Sequence, residues 1–342
     1  MNRKSVRVLL LVCLLVSVAI YIKNSHGISG IRRISNSTTS KVISRETGVT
    51  PGLHNQSFDG AKILPLLTLF TTWKNTKEKA IVIRNTIQNW RTFHPNISTV
   101  VFSNSVKRLH RYARKHGWKI WKSKTVTEDK IPLFRDMFIQ AMKQQSSVFY
   151  GYANSDILFT PSLMKTLQKI DSFKQNNTSP ILVVGQRIDF SVVNISFPNN
   201  FSYIVKKGLH NGKLNEPDAI DYFIISKDFP LKDFPDVVVG RIAYDNYVIM
   251  HARAHRVAVI DATKTIPAIH QTTRAGNMEG HMQRNKLYNK ELLNKEFDIT
   301  NYLGGLTTCA NYESVRNSST NGINLIRRKS KPGYCVKMFE SW

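Results

Sequence analysis

From Ile63 to Asp261 the sequence alternates short apolar runs with longer segments of helical period, and that alternation most restricts the fold. "LPLLTLFTTW", "ISTVVFS", "WKIWKS", "SVFYGYANSDILF", "PILVVGQRI", "IDYFIIS" and "RVAVID" read as strands. Between them, "KEKAIVIRNTIQNWRTFH" places Ile81, Ile83, Ile87 and Trp90 at helical spacing. "VKRLHRYARKHG" reads as a basic helix ended by Gly117. "PLFRDMFIQAMKQQ", Ser162 to Phe173 and "YDNYVIMHARAH" complete the helices. Strands and helices alternating at these lengths predict an α/β domain, a Rossmann-like, mostly parallel sheet flanked by helices. Neither G-x-G-x-x-G nor G-x-x-x-x-G-K-[ST] is present, so these nucleotide-binding loops are not expected.

In such a sheet ligands bind beyond the carboxyl ends of the strands. Asn154-Ser155-Asp156 falls at one of those ends, between two apolar runs. Two readings are open: an Asx-type turn, or a carboxylate holding a divalent cation against a diphosphate. Asp245 falls in the first turn of a predicted helix, after Gly240-Arg241. There it complements the helix dipole, or serves as a general base. Asp261 ends a strand and His270 follows nine residues later, as a buried polar residue or a ligand. Asp218 and Asp221 flank another strand, where they line an acceptor site or simply cap it.

The ends of the chain suggest a compartment. Arg3, Lys4 and Arg7 precede an apolar run from Val8 to Ile22, which Lys23 closes. The run is short against the ~20 residues of a typical span, so a cleaved signal peptide is the rival of a signal anchor. Positive charge ahead of it predicts a cytoplasmic N-terminus at 1–7 and a translocated remainder. Residues 23–60 are rich in Ser, Thr, Asn and Gly and read as a flexible stem. N-x-Ser/Thr sequons begin at Asn36, Asn55, Asn96, Asn176, Asn177, Asn194, Asn200 and Asn317. Outside the apolar run, which holds Cys13, stand Cys309 and Cys335, a disulfide candidate or two thiols. The expected address is a Golgi or endoplasmic reticulum membrane, single-pass type II with a lumenal domain. The net charge of +26 favours acidic partners. A lumenal address removes nucleic acid from them and leaves anionic glycans.

Taken in order, a strand-end Asp, an Asp at a helix start and a His after the last core strand resemble a GT-A glycosyltransferase. These are enzymes of the nucleotide-diphospho-sugar transferase superfamily. More narrowly, "NSDILF", "VVGQR", "DYFIISKDF", "VGRIAYDNYVIMHARAH" and "VIDATKTIPAIHQ" resemble a poorly characterised group of such proteins. The resemblance runs from Leu64 to Leu293 and is most specific from Gly240 to Gln271.

It implies a single GT-A catalytic domain over 61–300, followed by a C-terminal extension over 301–342. Asp156 would match the last carboxylate of an Asp-x-Asp metal motif, with Asn154 where the first would stand and turned toward the donor. His270 would be the second ligand of Mn²⁺ or Mg²⁺ and Asp245 the base of an inverting transfer. Gln186 and Arg187 resemble a donor-site segment, in which Arg187 meets a phosphate. Arg274 would face the leaving diphosphate or stand as a solvated loop charge. The implied partners are a nucleotide sugar and a glycan, glycoprotein or glycolipid acceptor, acidic acceptors included. Because Asn154 replaces an acid, a catalytically silent glycan-binding protein of the same fold stands as the alternative.

Overall fold

The architecture follows from strands whose two faces are both apolar. In β1 (Leu67–Thr71) Leu67 and Leu69 enter one hydrophobic cluster and Phe70 the other, as the period of two requires. The computed structural model describes residues 64–335 except 74–75, 105–107, 125–126, 129, 277–278 and 321. The N-terminal tail at 1–7, the apolar run at 8–22, the stem at 23–60 and the sequons at Asn36 and Asn55 lie outside the described residues. Among the described residues no helix is long and apolar enough to cross a membrane.

The chain continues through α1 (Lys79–Arg91), β2 (Ile97–Phe102), α2 (Arg108–Lys115), β3 (Lys119–Trp121), α3 (Phe134–Gln144), β4 (Phe149–Ala153) and β5 (Ile157–Phe159). It goes on through α4 (Ser162–Gln175), β6 (Ile181–Ser191), α5 (Phe201–Asn211), β7 (Lys213–Leu214), β8 (Ile220–Ser226), α6 (Tyr244–Ala254) and β9 (Ala258–Asp261). β10 (Ala268–Thr272), α7 (Tyr288–Phe297), β11 (Tyr312–Asn317) and β12 (Gly322–Arg327) complete it. The main sheet has the order β12-β11-β9-β6-β8-β4-β1-β2-β3. Five of its eight neighbouring pairs are parallel, so the expected mostly parallel α/β sheet is what forms. Gly117 has a φ of 79° just beyond α2, the left-handed conformation that ends a helix.

Two departures from simple alternation create the site. β8 runs antiparallel to both β4 and β6. Its first residues therefore reach the edge where β4 ends, and Tyr222 pairs with Ala153. β6 is long: its first half lies in the main sheet, and a register shift between Val184 and Gln186 turns the second half onto β10. Gly185 is required at that bend, because a Cβ there would lie 2.2 Å from the Tyr222 hydroxyl oxygen. β10 in turn pairs antiparallel with β5, His270 opposite Ile157.

Polar residues on the buried face of α1 hold this second layer. The Asn89 amide donates to the Phe159 carbonyl at 3.0 Å and its oxygen accepts from the Phe159 N–H at 2.8 Å. Trp90 Nε1 donates to the Ile157 carbonyl at 3.0 Å, and its ring stacks on Trp118. Asn85 donates to Gln271 Oε1 at 2.9 Å. At the far edge β11 extends the sheet parallel to β9, and Cys309 is disulfide-bonded to Cys335.

Candidate active site

Where β1 and β4 end, the chain lines a cleft of about 410 Å³. Thr72 and Trp73 follow β1, Lys79 opens α1, and Asn154, Ser155 and Asp156 join β4 to β5. Arg187 comes from the turned half of β6 and His270 from β10. Gly240 and Arg241 lead to α6 across two left-handed residues, Gly240 at 68° and Ala243 at 78°. The second is costly for a residue with a Cβ.

Asp156 and His270 are 114 positions apart but meet because β5 and β10 pair. The Asp156 carbonyl accepts from the Gln271 N–H at 3.0 Å, and the Gln271 side chain donates to it as well. Asp156 Oδ2 then lies 3.1 Å from Lys79 Nζ and 3.5 Å from His270 Nε2. Burial alone would raise this carboxyl, but His270 and Lys79 hold it well below the usual carboxylate range. The opposite holds for His270: burial would lower it, and Asp156 and Asp189 keep it raised. His270 Nδ1 lies 3.0 Å from Asp189 Oδ1.

The network continues through Arg187. Its Nε donates to Asp189 at 3.0 Å and its Nη1 to Asp221 Oδ2 at 3.1 Å. Burial opposes the charge on Arg187, but Asp221 and Asp189 raise its pKa. Asn154 Nδ2 donates to Asp221 Oδ1 at 2.7 Å, and Tyr152 donates to Asn154 Oδ1 at 3.0 Å. Asn215 closes the far side on Asp189 Oδ2 at 2.5 Å. Asn154, Asp156, Arg187, Asp221 and His270, all read from sequence, thus stand in one connected group.

Other candidates stand apart from it. Asp245 is half-buried in the first turn of α6 and outside the cleft lining. Burial pushes it up to about 7; Asp221 and Asp218 add to this, while the Asn246 N–H it accepts at 3.0 Å opposes. Asp218 is exposed, and Arg274 is exposed after β10 and outside the cleft lining. Gln186 donates to the Asn215 carbonyl, a role in the loop and not in the cleft. Asp261 accepts from Arg328 at 2.6 Å and ties down the C-terminal strands. Of the sequons, Asn96, Asn176, Asn194 and Asn200 are exposed; Asn177 and Asn317 are half-buried. Asn200 also caps α5, accepting from the Tyr203 N–H.

Two members of the group carried no sequence motif, Lys79 and Asp189. Asp189 had a signal: it is two residues after Arg187 on one strand, hence on the same face. Lys79 had none, being one of several lysines before a helix.

A divalent cation fits part of this arrangement. Asp156 Oδ1 is buried without a hydrogen-bond partner. An imidazole backed by a carboxylate, as His270 is by Asp189, is the usual setting of a metal-binding histidine. Among the described residues no group of three or more His, Cys, Asp or Glu side chains could hold a metal ion. The described residues therefore offer two ligands, Asp156 and His270, and others would come from a diphosphate and water, the pattern of Mg²⁺ bound with phosphates.

No protein-family model and no curated protein matches the chain. Solved structures to which it is similar include a mannosyltransferase from Pyrobaculum calidifontis in complex with GDP-Man and Mn²⁺. That match has 10% identity, covers 64% of this chain and 60% of that one, and has a TM-score of 0.38. Glucosyl-3-phosphoglycerate synthase from Mycobacterium tuberculosis, in complex with Mn²⁺ and UDP, matches with 10% identity over 61% of this chain and 72% of its own, TM-score 0.34. Residues 1–349 of TarS from S. aureus match with 15% identity over 38% and 43%, TM-score 0.24. The chain thus spans less than two thirds of the length of two of these proteins. At TM-scores below 0.5 these likenesses carry no inference about function, and what the cleft can do follows from its own residues.

Proposed function

We propose that the cleft binds a nucleotide-diphospho-sugar and that the protein transfers the sugar to an acceptor hydroxyl with inversion. The observation that carries this reading is the charge of the cleft: among the described residues Lys79, Lys130, Arg187, Arg241 and His270 line it with one carboxylate, Asp156. Cations converging on one buried carboxylate with an unpartnered oxygen suit a diphosphate bound with a metal ion. Asp156 and His270 would hold Mn²⁺ or Mg²⁺, which when bound supplies Lewis-acid neutralisation of the leaving diphosphate. Arg187, anchored by Asp189 and Asp221, presents a fixed cation to the phosphates. Asp245 takes the acceptor proton, for which a carboxyl raised to about 7 is matched to neutral pH.

The acceptor is read as a glycan, glycoprotein or glycolipid, and the net charge of +26 favours acidic ones. The localisation is a proposal too: a type II protein of the Golgi or endoplasmic reticulum, anchored by the run at 8–22, with a lumenal domain. The disulfide supports an oxidising compartment, and protease protection of the domain in sealed vesicles tests it.

The functional test is a thermal-shift panel of nucleotide sugars with Mn²⁺ on the full chain in detergent. A donor at ~100 times its Kd should add about 2.7 kcal/mol, a rise of several degrees. The shift should vanish in Asp156→Ala. If no donor moves the folded protein, the reading is wrong. A second reading has its own observation: Asp221, the carboxylate next to Asn154 and Arg187, is already matched by protein groups, Arg187 and Asn154. That suits a catalytically silent glycan-binding protein, which would bind sugars without releasing nucleotide.

A further inference from the structure

Between Glu78 and Glu128 the sequence runs for 49 residues without an acidic side chain and carries 11 Lys and Arg. This segment supplies α1, β2, α2 and β3, so its charge is gathered at one edge of the main sheet. α1 buries Ile83, Ile87 and Trp90 and turns Arg84, Gln88 and Arg91 outward. α2 buries Leu109, His110 and Ala113. It exposes Arg108, Arg111 and Lys115 at i, i+3 and i+7, a row about 10 Å long. The two stripes meet. The Arg84 guanidinium lies over the half-buried Tyr112 ring at 5.6 Å, and Gln88 donates to the Tyr112 hydroxyl at 2.6 Å. The Arg91 guanidinium sits beside Gly117, just past the end of α2. α5, which also packs against α1, adds exposed Lys206 and Lys207 and again no acid. Cations elsewhere are matched within the protein, Lys174 by Asp228 and Lys264 by Glu313. Among the described residues none of the cations named on α1, α2 and α5 is in an ion pair.

We infer that the α1–α2 face is a binding site for a linear polyanionic glycan, whose sulfate or carboxylate groups lie along the row of cations. Like charges three and four residues apart repel one another and cost the helix stability, and an anion laid along them reverses that cost. Guanidinium groups suit the partner, because their planar forks match sulfate and carboxylate oxygens. A bilayer surface fits less well. Binding in the headgroup region needs large apolar side chains to bury, and among the described residues neither α1 nor α2 exposes one. Nucleic acid is disfavoured by the Cys309–Cys335 bond, which belongs to an oxidising compartment. The face is built without Asp156, Arg187 or His270, so the inference does not depend on what the cleft holds.

The test is binding of heparin, a sulfated glycan, and of hyaluronan, a carboxylated one, to the full chain in detergent, by calorimetry at rising salt. Wild type is expected to bind at least one of them, with an affinity that falls steeply as salt rises. Arg108→Gln/Arg111→Gln/Lys115→Gln should weaken binding about 10- to 100-fold at physiological salt and flatten the salt slope by about two to three, one counterion fewer being released per lost contact. Lys165→Gln/Lys169→Gln/Lys295→Gln removes the same charge from exposed positions on α4 and α7 and should bind as wild type does. Melting temperatures confirm folding; if the first triple variant does not fold, Arg111→Gln/Lys115→Gln takes its place. Equal losses in the two triple variants would reduce the binding to overall charge and overturn the site. Wild type that binds neither glycan overturns it as well. So does wild type that binds a DNA duplex or phosphatidylserine vesicles more tightly than either glycan at equal charge concentration.

Discussion

Asn154 donates its side-chain amide to Asp221, Nδ2 to Oδ1 at 2.7 Å. This is the position where an Asp-x-Asp motif would carry its first carboxylate, and the bond explains why an amide stands there. A second acid would set two carboxylates against one another, with Arg187 already paired to Asp221. Asn154→Asp should therefore destabilise the fold by about 1–3 kcal/mol at pH 8. It should cost much less at pH 5, where one proton can be shared by the pair. Melting temperatures of variant and wild type at the two pH values decide this. An equal gap at both would mean that repulsion is not what excludes the acid.

Asp189 is expected to act through His270. It meets Nδ1 at 3.0 Å, leaving Nε2 toward Asp156. Removing such a partner typically costs 10- to 100-fold in metal affinity. Asp189→Asn should shift the Mn²⁺ concentration needed for donor binding upward by about that factor. An unchanged Mn²⁺ titration would reduce Asp189 to a brace for Arg187 and Asn215.

The layer of strands and helices was readable because its signals are local. Ile83, Ile87 and Trp90 repeat with a helical period, and Leu67 and Leu69 with the strand period, Phe70 taking the opposite face. The sense of β8 was not readable, since an isolated apolar strand such as "IDYFIIS" carries no mark of its direction. It is that direction which brings Asp221 to Asn154. The pairing of β5 with β10 was not readable for another reason: it is held by Asn85, Asn89 and Gln271, polar residues that sequence patterns assign to solvent. Among the site residues, Asp156 and His270 were singled out from strand-end positions. Lys79 became visible only through its 3.1 Å contact.

The Cys309–Cys335 bond closes a loop of 26 residues around β11 and β12. Loop-closure entropy for that length is about 3.5 kcal/mol. Replacing both cysteines by Ser should lower Tm by roughly 5–15 °C in a domain of this size. The fall should be partial, because Arg328 bonded to Asp261 and Arg253 bonded to the Cys335 carbonyl still hold the segment. Calorimetry of the double variant measures it, and a Tm within a degree of wild type would show that these contacts suffice.

Asp245 should reveal itself by opposite pH effects on stability and rate. Its folded pKa of about 7 is raised above the ordinary carboxylate value, chiefly by burial and then by Asp221 and Asp218. Between the unfolded and folded values the native state binds more protons. The stability this group contributes is therefore complete below about pH 4 and is lost as pH rises through 7. Asp245→Asn, an uncharged isostere, should gain stability relative to wild type as pH goes from 5 to 8. Catalysis runs the other way. A base must be ionised, so kcat/KM should climb through pH 7 to a plateau. Asp245→Asn should lose about 10²- to 10⁴-fold at the plateau, while donor binding, carried by the cleft, is retained. A variant with the stability change but full activity would make Asp245 a buried carboxyl at a helix start and nothing more, and the base would have to be sought elsewhere around the cleft.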